Sequence, residues 1–490
     1  MKKLFLICLA VFAFASCSDE GPTNPADNKP PIVYDKILFA DEELPSLFNA
    51  YSGTATVKFN STADWRVMVE DAQATIDGGY VKPDWVTVEP ENGAAGDAEI
   101  TISVKPNCPY RASMRKARIS IYAGNTMREF YVSQEHFSTT IDKAMDPTYS
   151  STDFSQDGVT SVMQYTNVSG GEGINLVFMG DGFTDRLIAD GTYDNIMRTA
   201  MESLFSYEPY KSFRHYFTCH QINVVSKDET IAEGHETALN VTLDPKSTVI
   251  DGDNQKVIDY LIEKLGLPES VMDNTIAFVI VNSTSRHGTC HLFGQTEFSP
   301  DGGGFTVAYA SLSDFRNTLV HEGSHGFAKL DDEYTTADGQ MSEDDKNTYE
   351  VFYKPMGWFK NVDITNDPNK IKWSRFLSDS RYASDDIGIF EGAAYCYFGA
   401  YRPSVNSMMN ASYDGYGFNA PSREAIYHRI HKIAFGPEWE YDYEKFVEYD
   451  AKNIGDSRIT RAGGDFRYVE NVTHQSPIIH KNSWKDEIGK

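Results

Sequence analysis

Ser313-Asp314-Phe315-Arg316-Asn317-Thr318-Leu319-Val320-His321-Glu322-Gly323-Ser324-His325-Gly326-Phe327-Ala328-Lys329-Leu330-Asp331-Asp332-Glu333-Tyr334 is the stretch around which this chain is organised. Its first half reads as a helix. Ser313 is an N-cap residue, Asp314 places an acid in the first turn, and Phe315, Leu319 and Val320 are its apolar positions. On that helix His321 and His325 stand i, i+4, so both imidazoles share one face and can reach one metal ion. Glu322 sits one residue along, beside the open side of such an ion. Gly323 and Ser324 are small and uncharged and do not crowd it. The competing reading is a pair of surface histidines on a solvated helix. The acids at Asp331, Asp332 and Glu333 weigh against it, because a tetrahedral catalytic site needs a third protein ligand and one open position.

The spacing is the H-E-x-x-H pattern, in which two histidines hold zinc and the glutamate is the general base of a metallopeptidase. The third ligand is open between two neighbours. Metzincin-type spacing, H-E-x-x-H-x-x-G-x-x-H/D, falls on Asp331, but it puts Ala328 where a glycine would make the turn, and alanine tolerates positive φ poorly. A longer turn falls on Asp332 and asks less of Ala328. Glu343 and Glu350, from a following helix, are the more distant alternatives. The acid-rich run from Asp331 to Asp345 lacks EF-hand spacing and reads as a solvated loop. His220, His287 and His291 lie outside metal spacing.

The chain has 490 residues, 41% hydrophobic and 13% aromatic, enough for several packed domains and not the composition of a disordered chain. It opens with Met-Lys-Lys and an apolar run, Leu4 to Phe14, that has signal-peptide length and is too short to span a bilayer as a mature helix. The run ends in Phe14-Ala15-Ser16-Cys17, which resembles a bacterial lipobox. Cys17 is the expected lipidation site of an outer-membrane lipoprotein, with a signal peptide over 1–16 and the acids of Ser18-Asp19-Glu20 resembling a surface-export tag. The competing reading is an ordinary secretory signal with an incidental cysteine. The formal charge is −27, and loss of Lys2 and Lys3 would make it −29. That charge is repelled by nucleic acid and anionic lipid, so nucleic-acid partners are excluded and membrane contact is expected only through the lipid anchor. Cys108, Cys219, Cys290 and Cys396 show no C-x-x-C spacing and read as buried small hydrophobes, with one disulfide among the last three open.

The organisation is multidomain. Residues 17–34 are polar and rich in Pro, Asn and Asp, as a flexible tether would be. Residues 35–136 read as an all-β, small antiparallel sandwich, because Trp65, Val67 and Val69, then Ile100, Ile102 and Val104, then Ala117, Ile119 and Ile121 alternate with polar residues. Turn signals stand at Glu91-Asn92-Gly93 and Gly124-Asn125. Pro83 to Pro90, Gly93, Ile100 to Val104, Arg115 to Tyr122 and Tyr131-Val132-Ser133-Gln134 together resemble a BACON domain. That resemblance implies an immunoglobulin-like sandwich and glycan or mucin binding, and the plainer alternative is a spacer. A connector, 137–171, leads to 172–438, where apolar strands at Ile174 to Met179, Gln221 to Ser226, Thr275 to Val281 and Thr306 to Ala310 alternate with helices over Tyr193 to Phe205 and Asn254 to Leu265. That alternation predicts an α/β (α+β) domain with a central sheet. Residues 439–490 are set apart as a C-terminal extension.

Within 172–438 the ordered segments Asn175 to Thr184, Glu208-Pro209-Tyr210 with Phe213-Arg214, the H-E-x-x-H stretch into Leu330-x-Asp332-Glu333-Tyr334, Phe390 to Ala393, Tyr401-Arg402-Pro403 and Ser407-Met408-Met409 resemble the IgA-peptidase family of zinc metallopeptidases. The resemblance implies a metzincin-like domain that binds Zn2+ and hydrolyses peptide bonds, with immunoglobulin A the family's named substrate. It implies His321, His325 and Asp332 as ligands with Asp331 the alternative, Glu322 as general base, and Met409 as a Met-turn residue beneath the metal. Tyr413, Tyr416 and His428 are candidates by position to assist the oxyanion. The expected partner is a protein or glycoprotein substrate. The opposing function class is a catalytically inactive glycan- or protein-binding surface lipoprotein, and the intact His-Glu-His set argues against it.

Overall fold

A computed structural model describes residues 35–40, 44–48, 53–72, 81–83, 85–105, 114–134, 146–166, 173–298, 303–313, 315–385, 387–410, 416–457 and 477–487. The expected signal segment, Cys17, the tether, Cys108 and Tyr413 lie outside the described residues.

The N-terminal unit is all-β. Its strands are β1 (Ile37–Phe39), β2 (Leu47–Phe48), β3 (Gly53–Ser61), β4 (Trp65–Asp71), β5 (Val86–Glu89), β6 (Asn92–Gly93), β7 (Gly96–Val104), β8 (Arg115–Ala123) and β9 (Thr126–Gln134). Among the described residues they form two sheets, ordered β1-β3-β7-β5 and β2-β9-β8-β4-β6. Period-2 patterning decides which face is buried: Ile100, Ile102 and Val104 of β7 and Ala117, Ile119 and Ile121 of β8 point into one core with Trp65, Trp85 and Phe59. Each fully buried Ile or Val there contributes roughly 1.5–3 kcal/mol.

The C-terminal unit is mixed α/β. It begins with β10 (Thr160–Gln164), β11 (Ile174–Asp181), α1 (Asp185–Ala189), α2 (Thr192–Leu204) and β12 (Phe217–Ile222), followed by a small ribbon, β13 (Thr242–Leu243) with β14 (Ile250–Asp251). Then come α3 (Asn254–Asp259), α4 (Glu269–Met272), β15 (Ile276–Val281), β16 (Gly288–Gly294), β17 (Thr306–Ser311) and the motif helix α5 (Phe315–Ala328). The remainder holds β18 (Thr335–Gln340), α6 (Glu343–Thr348), α7 (Ser374–Ser378), β19 (Phe390–Ala393), β20 (Tyr395–Arg402), α8 (Ala420–Phe435), α9 (Tyr443–Ser457), β21 (Ile478–Ser483) and α10 (Trp484–Glu487).

The main sheet, counted over the described residues, has seven strands in the order β10-β12-β11-β15-β17-β16-β21. β12, β11, β15 and β17 run parallel, and β16 turns back antiparallel against β17. The central strands are apolar on both faces, as buried parallel strands must be. Ile174, Leu176 and Phe178 of β11 pack with α2, α5 and α8 on one side, while Val177 and Met179 pack with α3 and Trp484 on the other.

Three sequence expectations change. The strand expected at 221–226 starts earlier, at Phe217, because pairing with β11 runs from Ile174 opposite Phe217. The segment read as a connector supplies the edge strand β10, and the segment read as a C-terminal extension supplies the opposite edge, β21. Cys219, Cys290 and Cys396 are free, the first two fully buried, so no disulfide joins them. Among the described residues no helix is long and apolar enough to cross a membrane.

Candidate metal centre

α5 lies close against the sheet because two glycines allow it. A Cβ at Gly323 would stand 2.5 Å from the ring of Phe278 on β15, and one at Gly326 would stand 2.2 Å from Thr306 Cγ2 on β17. The small residues inside the motif thus serve helix–sheet packing as well as an open metal. Ser324 donates to Val320 O at 2.7 Å and stands 3.2 Å from the Tyr210 hydroxyl. The helix ends on Ala328, and the positive-φ residue is Lys329, at 51°, not Ala328. The turn expected at Ala328 therefore falls one residue later, and the chain after it delivers Asp332.

His321, His325 and Asp332 are brought together, each buried. Their facing atoms form a small triangle. His321 Nε2 and His325 Nε2 are 3.1 Å apart, and Asp332 Oδ1 is 3.0 Å from the first and 3.3 Å from the second. A tetrahedral zinc with bonds of ~2.0–2.1 Å spaces its donors about 3.3 Å apart, so the triangle fits. The hydrogen-bond pattern points the same way. His321 Nδ1 donates to Met408 O at 3.0 Å and His325 Nδ1 donates to Leu330 O at 2.8 Å. Those carbonyls only accept, so Nδ1 carries a ring proton in each, and the neutral form that a metal ligand requires presents a bare Nε2 lone pair to the other imidazole and to the carboxylate. Asp332 Oδ1 accepts no hydrogen bond although it is buried. Three converging acceptors with no proton between them are the arrangement a cation relieves.

Asp331 is not part of the triangle. Its peptide exchanges two hydrogen bonds with the Asn361 side chain, at 2.9 and 2.8 Å, and its carboxylate accepts the Asp332 N–H at 2.9 Å. Glu343 and Glu350 are exposed and stand outside the group. The second oxygen of Asp332 accepts from the Tyr395 hydroxyl, and Tyr395 meets Tyr334 O–H to O–H at 2.8 Å.

The Ser407-Met408-Met409 turn is locked to the ligand loop through Glu333. That carboxylate is fully buried and accepts from Ser407 at 2.7 Å, Asn361 at 2.8 Å and Asn419 at 2.9 Å, while Glu333 N–H donates to Met409 O at 2.8 Å. Met408 and Met409 are both fully buried. Met408 contributes the carbonyl that orients His321, a role the sequence did not suggest.

Glu322 is buried against β16, where a Cβ at Gly288 would stand 2.8 Å from its Oε1. Burial pushes its carboxyl up to about 8, the charge of Asp332 adding to the effect and His321 opposing it. Burial works against the charge of Asp332 too, but His325 and His321 hold its carboxyl well below the usual carboxylate range. Burial likewise lifts Asp331 to about 7. Two carboxyls within one turn of the helix end are thus held at opposite extremes by what each one faces.

Of the other candidates, His428 lies on α8 with its ring 5.4 Å from that of Trp439, and Tyr416 takes a hydrogen bond from Asn406 at 3.4 Å. Neither joins the metal group. His220, His287 and His291 bond to Asn175, Asp244 O and His480 respectively. Tyr395 went unread in the sequence because it lies 63 residues beyond Asp332 and belongs to no local motif.

Residues 165–382 match a family model described as IgA Peptidase M64, and residues 74–135 match the BACON model, described as a putative N-terminal binding domain. The first match contains His321, Glu322, His325 and Asp332 and ends before Tyr395 and the Met408-Met409 turn. The second begins inside the sandwich, after β4. Among curated proteins nothing matches the chain. Similar solved structures include the ASH / PapD-like domain of human CEP192, 12% identical over 25% of this chain and 97% of that one, with a TM-score of 0.15. A protein from Bacteroides thetaiotaomicron is 18% identical over 22% of this chain and 92% of that one, with a TM-score of 0.16. A GH5 xyloglucanase from Bacteroides ovatus is 13% identical over 66% of this chain and 61% of that one, with a TM-score of 0.18. The chain carries a stretch that matches the BACON model, followed by one that matches the IgA Peptidase M64 model.

Proposed function

We propose that this protein is an exported zinc metallo-endopeptidase that hydrolyses peptide bonds of host or dietary proteins and glycoproteins. The observation that carries the reading is the triangle of His321 Nε2, His325 Nε2 and Asp332 Oδ1 beside the buried carboxyl of Glu322. Zinc held there would supply Lewis-acid polarisation of a water and of the scissile carbonyl. Met408 O and Leu330 O fix the two imidazoles, and Tyr395 fixes Asp332, so the donors are set before any substrate arrives. Glu322 is the general base: its carboxylate takes the proton of the attacking water and returns it to the leaving amine nitrogen. Its buried setting keeps its proton affinity near the operating pH, where such transfer is most effective.

Immunoglobulin A is a candidate substrate through the family's description. The BACON domain is read as a substrate- or glycan-holding module, and export follows from the segment ending in Cys17, with lipid on that cysteine anchoring the protein at the outer-membrane surface. Elemental mass spectrometry should find about one zinc per chain, as a single three-ligand site requires. Glu322→Gln should keep that zinc and lower peptide cleavage about a hundred- to ten-thousand-fold. A chain that takes up no zinc would move the reading to a binding lipoprotein. Wild-type cleavage by Glu322→Gln would remove Glu322 from the chemistry.

A further inference from the structure

Behind α5, between its last turn, the 356–360 loop and α8, lies a cavity of ≈ 130 Å³. About 10–15 Å³ of such space holds one water, so there is room for a polyatomic ion. Its charge runs against the rest of the chain. The protein carries 71 acidic and 44 Lys and Arg residues, yet Lys329, Lys360, His428, Arg429 and Lys432 line this cavity and no acid does. The metal-ligand triangle uses none of them.

Two of these cations have work within the fold. Lys329 donates to Gly326 O at 2.8 Å, neutralising the carbonyl end of α5, with its ammonium over the ring of Trp358. Lys432 donates to Pro437 O at 2.6 Å. Lys329 also donates to Gly304 O and Thr306 Oγ1, both at 3.4 Å, which occupies all three of its protons, whereas Lys432 keeps donor protons to spare. Lys360 is different: among the described residues its ammonium makes no hydrogen bond and no ion pair. Burial pulls it below the ordinary lysine value, more than the charge of Glu424 restores, and Arg375 adds to the fall. Arg429 donates to Asn274 Oδ1 at 2.6 Å. A half-buried ammonium that makes no hydrogen bond is costly to keep, and an anion in the cavity would offset that cost.

We infer that this cavity is a binding site for a tetrahedral oxyanion, sulfate or phosphate, free or as a monoester. Cationic residues line it from three walls, Lys329 at the end of α5, Lys360 in the 356–360 loop and Arg429 and Lys432 on α8, which suits an ion with acceptors in several directions better than a planar carboxylate. The site is independent of the metal centre and of the peptidase reading.

Isothermal titration of the purified protein with sodium sulfate, sodium phosphate and phenyl phosphate, against sodium chloride at matched ionic strength, tests the assignment. Saturable binding of at least one oxyanion is expected. Lys360→Met and the double variant Lys360→Met/Lys432→Met should weaken it about tenfold or more, as loss of a charge-assisted hydrogen bond implies. Tighter binding of phenyl phosphate than of phosphate would assign the site to an esterified group on a larger ligand. The reverse order would assign it to the free ion. Heats no greater than those with chloride, or undiminished binding by the folded double variant, would overturn the proposal.

Discussion

The phenol of Tyr395 donates its proton to Oδ2 of Asp332, the carboxylate whose Oδ1 faces His321 and His325. Unusual backbone brings it there: Ala394 and Tyr395 have φ of 46° and 67°. Two backbone hydrogen bonds pin that turn to the ligand loop, Ala394 N–H to Asp332 O at 2.9 Å and Tyr395 N–H to Tyr334 O at 3.2 Å. Positive φ in non-glycine residues costs about 1–3 kcal/mol each and persists where the surroundings over-determine it.

Tyr395→Phe removes one hydroxyl and leaves the ring. A group that orients a metal ligand typically contributes 10–100-fold in metal affinity. Competition with a chromogenic chelator should show zinc affinity lower by about that factor, with the melting temperature of the zinc-loaded protein falling. Unchanged affinity would mean that Asp332 is held in place by its peptide contacts alone.

Glu333→Ala should destabilise the whole C-terminal unit. It strands the donors of Ser407, Asn361 and Asn419 in a buried site, each orphan costing about 1–3 kcal/mol. Urea unfolding should give a loss of about 3 kcal/mol or more, with zinc affinity falling alongside because the Met408 carbonyl loses its anchor. A loss below about 1 kcal/mol would show that water or repacking takes over those donors.

The metal-stripped protein should lose stability as pH rises. Its Glu322 carboxyl moves from 4.5 to about 8 and Asp331 from 3.8 to about 7, burial being the first cause of both. Raised folded values mean that the folded state binds these protons more tightly, so their stabilisation is complete below the ordinary values and is lost as pH climbs through the folded ones. Asp332, held low, works in the opposite sense: it stabilises above its ordinary value and loses that contribution only in acid. Melting temperatures measured with a chelator should decline from about pH 5 to pH 8, and zinc should flatten the decline by favouring the charged carboxylates. Parallel profiles with and without zinc would detach these groups from the metal centre.

Trp484→Ala should be among the most damaging changes far from the ligands. Trp484 is 1% exposed, packs into the core beneath the sheet and donates from Nε1 to Asp273 Oδ1 at 3.0 Å. Truncating a buried tryptophan costs about 3–5 kcal/mol. Denaturant unfolding should register that loss. Wild-type stability would return residues 477–487 to the status of a dispensable extension.

Sequence alone determined what is local. The i, i+4 spacing of His321 and His325 puts two ligands on one face of any helix that forms there, and period-2 alternation marks the sandwich strands. The doubly apolar run of Ile174 to Met179 could only be a strand covered on both sides. These follow from repeats of the backbone itself, so they are readable without a partner in view. Asp331 and Asp332 were separable only in three dimensions, because the choice rests on the positive φ of Lys329 and on Asn361, Ala394 and Tyr395 arriving from 30 to 63 residues away. The strands β16 and β21 carry no alternation of their own, and their pairing along the sheet edge makes them strands. Backbone periodicity fixed the elements and the first two ligands. Long-range hydrogen bonds, which no local pattern encodes, decided the third ligand, the orientation of all three, and how far the domain extends toward each end of the chain.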